Sequence, residues 1–402
     1  MMIAGVLVFS LLASVSAQDW PQWRGPDRDG KVSGFAAPES WPPDLTMLWK
    51  ETVGSGDASP VLVGERLYLF TRQDDKEVIL CLDAISGEEI WKSDYTAPAV
   101  TGAAARHPGP RSTPAVSDGK IFTIGVSGIL SCLDAASGEL LWRKDPFPGV
   151  VPMFFTSMSP LIADGLCIAH LGGAGNGAMI AYDMNSGNEK WRWGEEGPEY
   201  GSPVILTLEG KKQVVSPTEK NIVGVELSSG KLLWKIPFVP ERRAYNAATP
   251  IVKGNTLIYT GAGRGTTAVQ IQKQGDDFNL NKIWANDDLA VQFNSPVLKE
   301  DLLYGYSSTG SLYCIDALNG ETVWSDTVKH DRSGFAAMLD AGPAVLALPS
   351  SSDLIFFKPG SENYSELARM KISDVATYAT PVLAGNRIYI KDENSIALWK
   401  IR

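Results

Sequence analysis

The chain has 402 residues, of which 44% are hydrophobic and 20% are charged, and its formal net charge is −10. This composition is typical of a globular protein with a large core and argues against a disordered chain. The sequence contains no run rich in Lys and Arg, so binding to nucleic acid or to an anionic membrane through a basic patch is not expected.

Residues 1–17, MMIAGVLVFSLLASVSA, are predicted to be a signal peptide. They form an apolar stretch that ends in a small-residue cleavage site and is too short to cross a bilayer as a stable helix. No Cys follows this stretch, and no second long apolar segment occurs. We therefore expect an exported protein, periplasmic or secreted, without a lipid anchor or a transmembrane segment.

Residues 18–44 are predicted to form an N-terminal arm rich in Pro and Trp. The arm carries Trp20, Trp23 and Trp41. Packing of these rings onto the rest of the chain is favoured over a role in recognition, because exposed Trp clusters are costly.

A repeat dominates residues 45–402. The phrase CLDAISGEEIW (81–91) returns as CLDAASGELLW (132–142) and CIDALNGETVW (314–324), with looser copies at 181–191 and 224–234. A second phrase, Ser or Thr followed by Pro and apolar residues, recurs about every 46 residues from Pro60 to Pro381, with Gly342-Pro343 as a weakened copy. This period is typical of propeller blades.

Each unit contains four strand patterns, which in the first unit are SPVLV, GERLYLF, EVILCLDA and EEIW, with Ser86-Gly87 as the last turn. The fifth unit carries an insertion and the seventh lacks the final Trp, yet both are expected to keep their strands. A Trp at the end of a unit is large enough to fill the wedge between blades, so packing is its expected role. This series comprises Trp49, Trp91, Trp142, Trp191, Trp234, Trp284 and Trp324.

The last unit supplies three strands, whereas LTMLWKETV (45–53) is a strand with no unit before it. We therefore predict an all-β, eight-bladed propeller of four-stranded antiparallel blades, in which the N-terminal strand completes the C-terminal blade and removes the open sheet edge.

The four cysteines are expected to be buried apolar residues. Cys81, Cys132 and Cys314 hold one position in three different units, which places them farther apart than a disulfide allows. Cys167 lies in an unrelated apolar run, LCIA.

With these motifs the chain resembles the pyrroloquinoline-quinone (PQQ) repeat family of β-propellers. The matching pattern is Leu-Asp-Ala-x-Ser/Asn-Gly-x-x-x-Trp, that family's tryptophan-docking motif, preceded by Ser/Thr-Pro-Val. The family includes quinoprotein dehydrogenases, which hold PQQ and Ca²⁺, and BamB-type outer-membrane assembly factors, which bind partners without a cofactor. The resemblance implies the fold and leaves both functions open.

Propellers usually work at the mouth of the central channel, on the face formed by the loops before the first strands and between the second and third strands. Cations in these loops are Arg72, Arg106, His107, Arg111, His170, Lys220, Arg242, Arg243 and Arg264. In an acidic protein such a cluster can attract an anionic ligand; the alternative is that the arginines pair with neighbouring acids. The candidate ligand contacts are Arg72, His107, Arg111, His170, Tyr200, Lys220, Tyr245, Asn246, Arg264 and Asn294.

Motifs for catalysis are missing from the sequence. It has no CxxC, HExxH or GxSxG and no adjacent cysteines, and a strand pattern rather than a helix follows both glycine-rich stretches. We therefore predict a monomeric, non-catalytic binding or scaffold protein that holds a protein partner of the cell envelope or a small anionic ligand at the channel face. No cofactor, catalytic residue or metal ligand is assigned. The alternative is a PQQ- and Ca²⁺-dependent dehydrogenase that oxidises alcohols or sugars.

Overall fold

The computed structural model describes residues 19–241, 244–331 and 333–402. The predicted signal peptide and the cations Arg242 and Arg243 lie outside these residues. The described chain forms eight four-stranded sheets, each antiparallel. The prediction of an eight-bladed propeller is confirmed.

Blades 1 to 4 follow the chain in order, from the innermost strand to the outermost. Blade 1 comprises β2 (Val61–Val63), β3 (Arg66–Gln73), β4 (Lys76–Asp83) and β5 (Glu89–Thr96). Blade 2 comprises β6 (Ala115–Ser117), β7 (Lys120–Ile124), β8 (Leu130–Asp134) and β9 (Leu140–Lys144). Blade 3 comprises β10 (Leu161–Ala163), β11 (Leu166–Gly173), β12 (Asn176–Asp183) and β13 (Glu189–Trp193). Blade 4 comprises β14 (Val204–Leu208), β15 (Lys211–Pro217), β16 (Asn221–Glu226) and β17 (Leu232–Pro237).

Blades 5 to 8 continue this order, and the two irregular units keep four strands each. Blade 5 comprises β18 (Ile251–Lys253), β19 (Thr256–Thr260), β20 (Thr266–Gln274) and β21 (Asp277–Asn286). Blade 6 comprises β22 (Val297–Lys299), β23 (Leu302–Tyr306), β24 (Leu312–Asp316) and β25 (Thr322–Ser325). Blade 7 comprises β26 (Ala336–Asp340), β27 (Val345–Pro349), β28 (Asp353–Phe357) and β29 (Glu366–Lys371). Blade 8 comprises β30 (Val382–Ala384), β31 (Arg387–Lys391), β32 (Ser395–Lys400) and, from the N-terminus, β1 (Thr46–Thr52).

The N-terminal strand closes the ring, as the sequence predicts. β1 pairs antiparallel with β32, from Thr46 opposite Lys400 to Thr52 opposite Ser395. The last strand of the chain therefore has a hydrogen-bonded neighbour on both sides, and the two ends of the propeller are held in one sheet.

The recurring Ser or Thr before Pro links neighbouring blades around the channel. In five cases the backbone N–H of one such residue donates to the side-chain oxygen of its counterpart in the next blade, which explains why a hydroxyl recurs there. The bonds are Ser59 to Thr113 at 3.2 Å, Thr113 to Ser159 at 3.0 Å, Ser159 to Ser202 at 2.9 Å, Thr249 to Ser295 at 2.8 Å and, across the closure, Thr380 to Ser59 at 2.8 Å.

The recurring Trp docks on the glycine turn of the next blade. The ring of Trp91 lies against Gly138, where a Cβ would stand 2.5 Å from the ring and φ is +75°, so a larger residue there is excluded both by space and by backbone conformation. The indole N–H donates to a carbonyl of that next blade. These bonds run from Trp91 to Ala135, Trp142 to Met184, Trp191 to Leu227, Trp284 to Ala317 and Trp324 to Gly360, at 2.8–3.2 Å.

Two indoles of the series make no such bond to the next blade. Trp49 Nε1 is buried without a hydrogen-bond partner among the described residues. The N–H of Trp234 donates to Gln213 Oε1 in its own blade at 2.6 Å. The next blade, blade 5, has an insertion in the β20–β21 hairpin in place of the Ser-Gly turn, so the carbonyl that accepts the other indoles has no equivalent there.

One expectation about blade 7 is wrong. Gly342-Pro343 does not precede a first strand but lies in the turn between β26 and β27, with Gly342 at φ +73°. The first strand begins earlier, at Ala336, and all five of its residues are in register with β27. Since β26 has no Pro at its start, the pattern that marks the other blades cannot reveal it.

The N-terminal arm enters the channel from the end opposite the mouth. Trp20 pairs with Leu62 of β2 in blade 1 and is 1% exposed, while Lys31 pairs with Asp340 of β26 in blade 7. Between these two residues the chain lies inside the channel. Trp41, farther along, packs against Phe356 with ring centroids 4.5 Å apart.

Two buried arginines fix the arm inside the channel. Arg24 donates to the carbonyls of Ser295 and Pro296 in blade 6, and Arg28 donates to those of Ser159 and Pro160 in blade 3. Burial lowers the pKa of Arg24 to about 10 and that of Arg28 to about 9. The arm therefore closes one end of the channel and carries positive charge into it.

The hydrophobic clusters lie between the faces of adjacent blades, and the four cysteines are buried there as free thiols, as expected. None of the helical segments in the described part of the chain has the length and apolar character needed to cross a membrane.

Candidate functional site

A cavity of about 360 Å³ lies at the mouth of the channel. One position of the repeat supplies seven residues of its wall, namely the residue two places before each Ser/Thr-Pro pair. Because successive residues of an extended strand point to opposite sides, this residue faces the channel when the Ser or Thr does. The residues at this position, all in the cavity wall, are Asp57, Arg111, Ser157, Tyr200, Ala247, Phe293 and Tyr378.

One side of the wall is an arc of aromatic rings. Tyr378 stands edge-on to Phe335 at 5.1 Å between centroids, Phe335 stacks on Phe293 at 4.4 Å, and Phe293 stacks on Tyr245 at 6.4 Å. Beyond these rings, Tyr245 contacts Tyr200 and Phe154 at 5.6 Å and 5.2 Å. All six rings are half-buried and line the cavity, which makes this side a concave apolar surface.

The other side of the wall is charged. His107 Nδ1 lies 2.8 Å from Asp57 Oδ2, and this bond, which outweighs the effect of partial burial, raises the pKa of His107. Arg111 donates through Nη2 to the carbonyl of His107 at 2.7 Å. Its Nη1 is buried without a hydrogen-bond partner among the described residues, and burial lowers the pKa of Arg111.

The N-terminal arm provides the floor of the cavity. Trp23 lines the cavity, and its indole N–H donates to Thr249 Oγ1 at 2.9 Å. Arg24, the next residue, and Arg28 bond to the carbonyls of Ser295 and Ser159, two of the recurring Ser residues around the channel. The cavity is therefore blind, and two buried guanidinium groups lie beneath it.

Four of the ten candidate residues meet in this cavity: His107, Arg111, Tyr200 and Tyr245. The other six do not line it. Lys220 is exposed in the turn between β15 and β16, and the remaining five make contacts within or between blades. These five are Arg72, His170, Asn246, Arg264 and Asn294.

The two asparagines hold the loops that carry the aromatic rings. Asn246 donates to the carbonyls of Thr218 and Phe238, and its Oδ1 accepts from Arg264 at 2.7 Å. Asn294 donates to the carbonyls of Tyr306 and Gly334, the residue before Phe335. Each asparagine directly follows a ring that faces the cavity, so it points the opposite way.

The buried or half-buried cations outside the cavity bond mainly to backbone. Arg72 donates to the carbonyls of Ala97 and Pro98, and Arg264 lies over the ring of Phe238 at 3.8 Å. His170 Nε2 lies 3.0 Å from the carbonyl of Glu196, and burial lowers the pKa of His170 to about 4. Pairing with acidic side chains, the alternative raised from the sequence, is thus seen for His107 rather than for these groups.

Several cavity residues were not among the ten sequence candidates, among them Trp23, Phe154 and Phe335. Phe335 bridges to Phe293 in parallel and occupies the same place in blade 7, but the missing Ser/Thr-Pro hides it from the sequence pattern. Trp23 and Phe154 reach the cavity from the arm and from a long loop, for which the repeat gives no register.

The cavity does not match the needs of a calcium-bound quinone. Ca²⁺ takes six to eight oxygen ligands, several of them carboxylates. Asp57 is the one carboxylate among the described residues of the wall, and it is bonded to His107. No group of three or more His, Cys, Asp or Glu side chains with the geometry of a metal site occurs within residues 19–241, 244–331 and 333–402.

Comparisons with known proteins place the chain in a family. The family model described as outer membrane protein assembly factor BamB matches residues 74–326. The BamB of Burkholderia pseudomallei is 24% identical over 86% of this chain and 85% of its own length. Among solved structures, BamB from Moraxella catarrhalis aligns with a TM-score of 0.67 at 15% identity, covering 89% of this chain and 99% of that one.

A dehydrogenase shares the fold as well. The quinohemoprotein alcohol dehydrogenase of Comamonas testosteroni aligns with a TM-score of 0.72 at 15% identity, covering 95% of this chain and 80% of that one. At such identity the likeness concerns the fold alone. Since the family match spans more than half of the sequence, the chain belongs to the PQQ-repeat β-propeller family that includes outer membrane protein assembly factor BamB.

Proposed function

We propose that this protein is an exported, non-catalytic binding propeller that holds its ligand or partner in the cavity at the channel mouth. The observation that carries the proposal is the contrast within one repeat position. Seven blades place six different residue types at this position of the cavity wall, although the Ser or Thr two places later is kept in all seven. Packing alone does not require such variety, whereas a binding surface does.

The contacts of the proposed site divide into two roles. His107, Arg111, Tyr200 and Tyr245 line the cavity and are proposed to touch the bound group. Asn246, Arg264 and Asn294 are proposed to act indirectly, because their bonds fix the loops that present Tyr245 and Phe335. Arg72, His170 and Lys220 have no such connection to the wall.

The partner is proposed to be a component of the cell envelope. Similarity to BamB over 86% of this chain supports a binding role, and the predicted signal peptide supports export. A cationic side in a protein of net charge −10 favours an anionic ligand, or an acidic segment of the partner, at this face.

Site-specific photo-crosslinking in producing cells tests the proposal. A photoreactive residue at Tyr245 lies in the cavity, and a matched one at Leu318, which is 62% exposed, lies on an outer turn. A product formed from position 245 and absent from position 318 supports binding at the mouth. Products from position 318 alone would contradict it and assign the interaction to the blade edges.

The dehydrogenase alternative is supported by the shared fold and by 26% identity over 61% of this chain to the quinohemoprotein alcohol dehydrogenase of Comamonas testosteroni. Titration of the purified mature protein with PQQ and Ca²⁺, followed by absorbance and thermal shift, separates the two functions. Saturable binding with a raised melting temperature, together with alcohol-dependent dye reduction, supports the dehydrogenase. Our proposal predicts that neither occurs.

A further inference from the structure

The arm and the channel mouth together carry a more specific inference, which rests on the proposed function. We propose that they form a blind site for a small carboxylate with a flat apolar body, in which the carboxylate lies against Arg111 and His107, the body lies against the aromatic arc, and Trp23 is the floor. The mature N-terminal arm is then part of the binding site.

The anionic end of the proposed ligand is inferred from hydrogen-bond donors in the cavity wall that have no partner. Arg111 donates through Nη2 to the carbonyl of His107, but its buried Nη1 has no hydrogen-bond partner among the described residues. A buried guanidinium with a free N–H gains a strong, charge-assisted bond from a carboxylate. His107 is held by Asp57 through Nδ1, so its other ring nitrogen remains for the same ligand.

The positive charge around the cavity agrees with an anionic ligand group. Arg106 and Arg111 stand in the wall beside His107, and Arg24 and Arg28 are buried beneath the floor. Asp57 is the single acid of the wall among the described residues. The field in the blind end therefore favours one negative charge and disfavours a cation, although aromatic rings alone would also suit a cation.

The flat apolar body of the proposed ligand is inferred from the arc of aromatic rings in the cavity wall. Five half-buried rings, Tyr378, Phe335, Phe293, Tyr245 and Tyr200, follow one another at 4.4–6.4 Å between centroids. Exposed aromatic faces in a concave wall are costly in water and are covered well by another ring. A cavity of about 360 Å³ is near the lower end of ligand pockets, which suits a small ligand.

Protonation of His107 is expected to accompany binding. The groups that face this imidazole are Asp57, the adjacent Arg111 and Arg106, Tyr378 at 4.8 Å between centroids, and Glu393 from the turn after β31. Asp57 is the largest influence and raises the pKa of His107. A carboxylate bound beside the ring raises it further, so affinity falls as the pH rises through that pKa.

Calorimetric titration of the mature protein with four probes tests the inference: benzoate, its neutral isostere benzamide, acetate and benzylammonium. Benzoate is expected to bind, with benzamide and acetate each weaker by about tenfold or more, because each lacks one of the two contacts. Arg111→Gln and Tyr245→Ala are each expected to weaken benzoate by about tenfold. Lys220→Gln, which removes an exposed cation outside the cavity, should leave its affinity unchanged.

Two further variants separate binding from folding. Trp23→Ala should shift preference from benzoate toward the larger 2-naphthoate, a change that simple loss of stability does not produce. His107→Gln should remove the pH dependence of benzoate affinity. The melting temperature of each variant is measured alongside.

Three results would overturn the inference: equal binding of benzamide and benzoate, stronger binding of benzylammonium, or no saturable binding of any carboxylate probe at millimolar concentration. If the crosslink from position 245 forms while all probes fail, the proposed function stands and the ligand class is wrong. If the probes bind while position 245 gives no crosslink, a small ligand rather than a partner protein occupies the site.

Discussion

Two positions of the same repeat behave in opposite ways. At the outer end of the blade, seven of the eight blades keep a Trp that packs on the next blade or bonds within its own, and the glycine beneath it is kept wherever the turn is regular. At the channel, the residue two places before the recurring Ser or Thr changes from Asp57 to Arg111 to Tyr200 to Phe293. The first position meets one packing requirement in seven blades, whereas the second is free to specify a ligand.

The difference teaches how a repeat protein separates stability from function. A substitution at a docking Trp should damage the fold, and one at the channel wall should spare it.

Trp142→Ala should lower the free energy of unfolding by about 3–5 kcal/mol, as for large aromatic side chains in cores. Trp142 is 8% exposed, packs between Phe122 and Tyr182 and donates to Met184. Denaturant unfolding measures the loss. The matched channel variant Tyr245→Ala, whose ring is half-buried, should lose less than about half as much; equal losses would remove the distinction.

His170 should make stability fall in acid. Its pKa is about 4 in the folded protein and near 6.5 when unfolded, so the unfolded state binds a proton first as the pH drops. Stability is full above pH 6.5 and falls by about 3 kcal/mol toward pH 4. His170→Gln should flatten this part of the profile measured by urea unfolding. An unchanged slope in the variant would assign the acid sensitivity to other groups.

Ser59→Ala should cost about 1–3 kcal/mol, because the buried N–H of Thr380 then loses its acceptor across the closure of the ring. Thermal unfolding measures the change. The exposed Ser361→Ala is the control and should stay within about 0.5 kcal/mol of the wild type. A loss as small as the control's would mean that β1 alone closes the propeller.

His107 should show a small effect of the opposite sign to His170. Its pKa is raised in the folded state, chiefly by the bond to Asp57, so its contribution is present below the unfolded pKa and is lost as the pH rises through the folded one. Asp57→Asn should lower the pKa of His107, which NMR titration of the imidazole measures. An unchanged pKa would show that Asp57 does not set the charge of the cavity.

The sequence predicts the fold well because each unit repeats the same local requirements. Trp49 identifies the closing strand, since a Trp at the blade position with no unit before it needs a partner sheet, and β1 pairs with β32. Gly342-Pro343 misleads because the repeat pattern is read there as the start of a blade. These residues form the turn between β26 and β27, and β26 begins without a Ser/Thr-Pro pair.

The candidate site is only partly readable from the sequence. Loop position brings Tyr245 and Asn246 to the same place, but neighbours in extended chain point apart, so one lines the cavity and the other bonds to Thr218 and Phe238. The bonds by which Arg24 and Arg28 fix the N-terminal arm in the channel cannot be predicted from the sequence, because the acceptors are backbone carbonyls, which every residue has.

Melting temperature and benzoate titration, measured together on Tyr245→Ala, test most directly whether the channel mouth is the binding site. We expect the variant to stay folded, with a melting temperature within a few degrees of the wild type, and to bind benzoate about tenfold more weakly. Benzoate affinity equal to that of the wild type in a folded variant would show that the aromatic wall of the channel mouth is not the binding site.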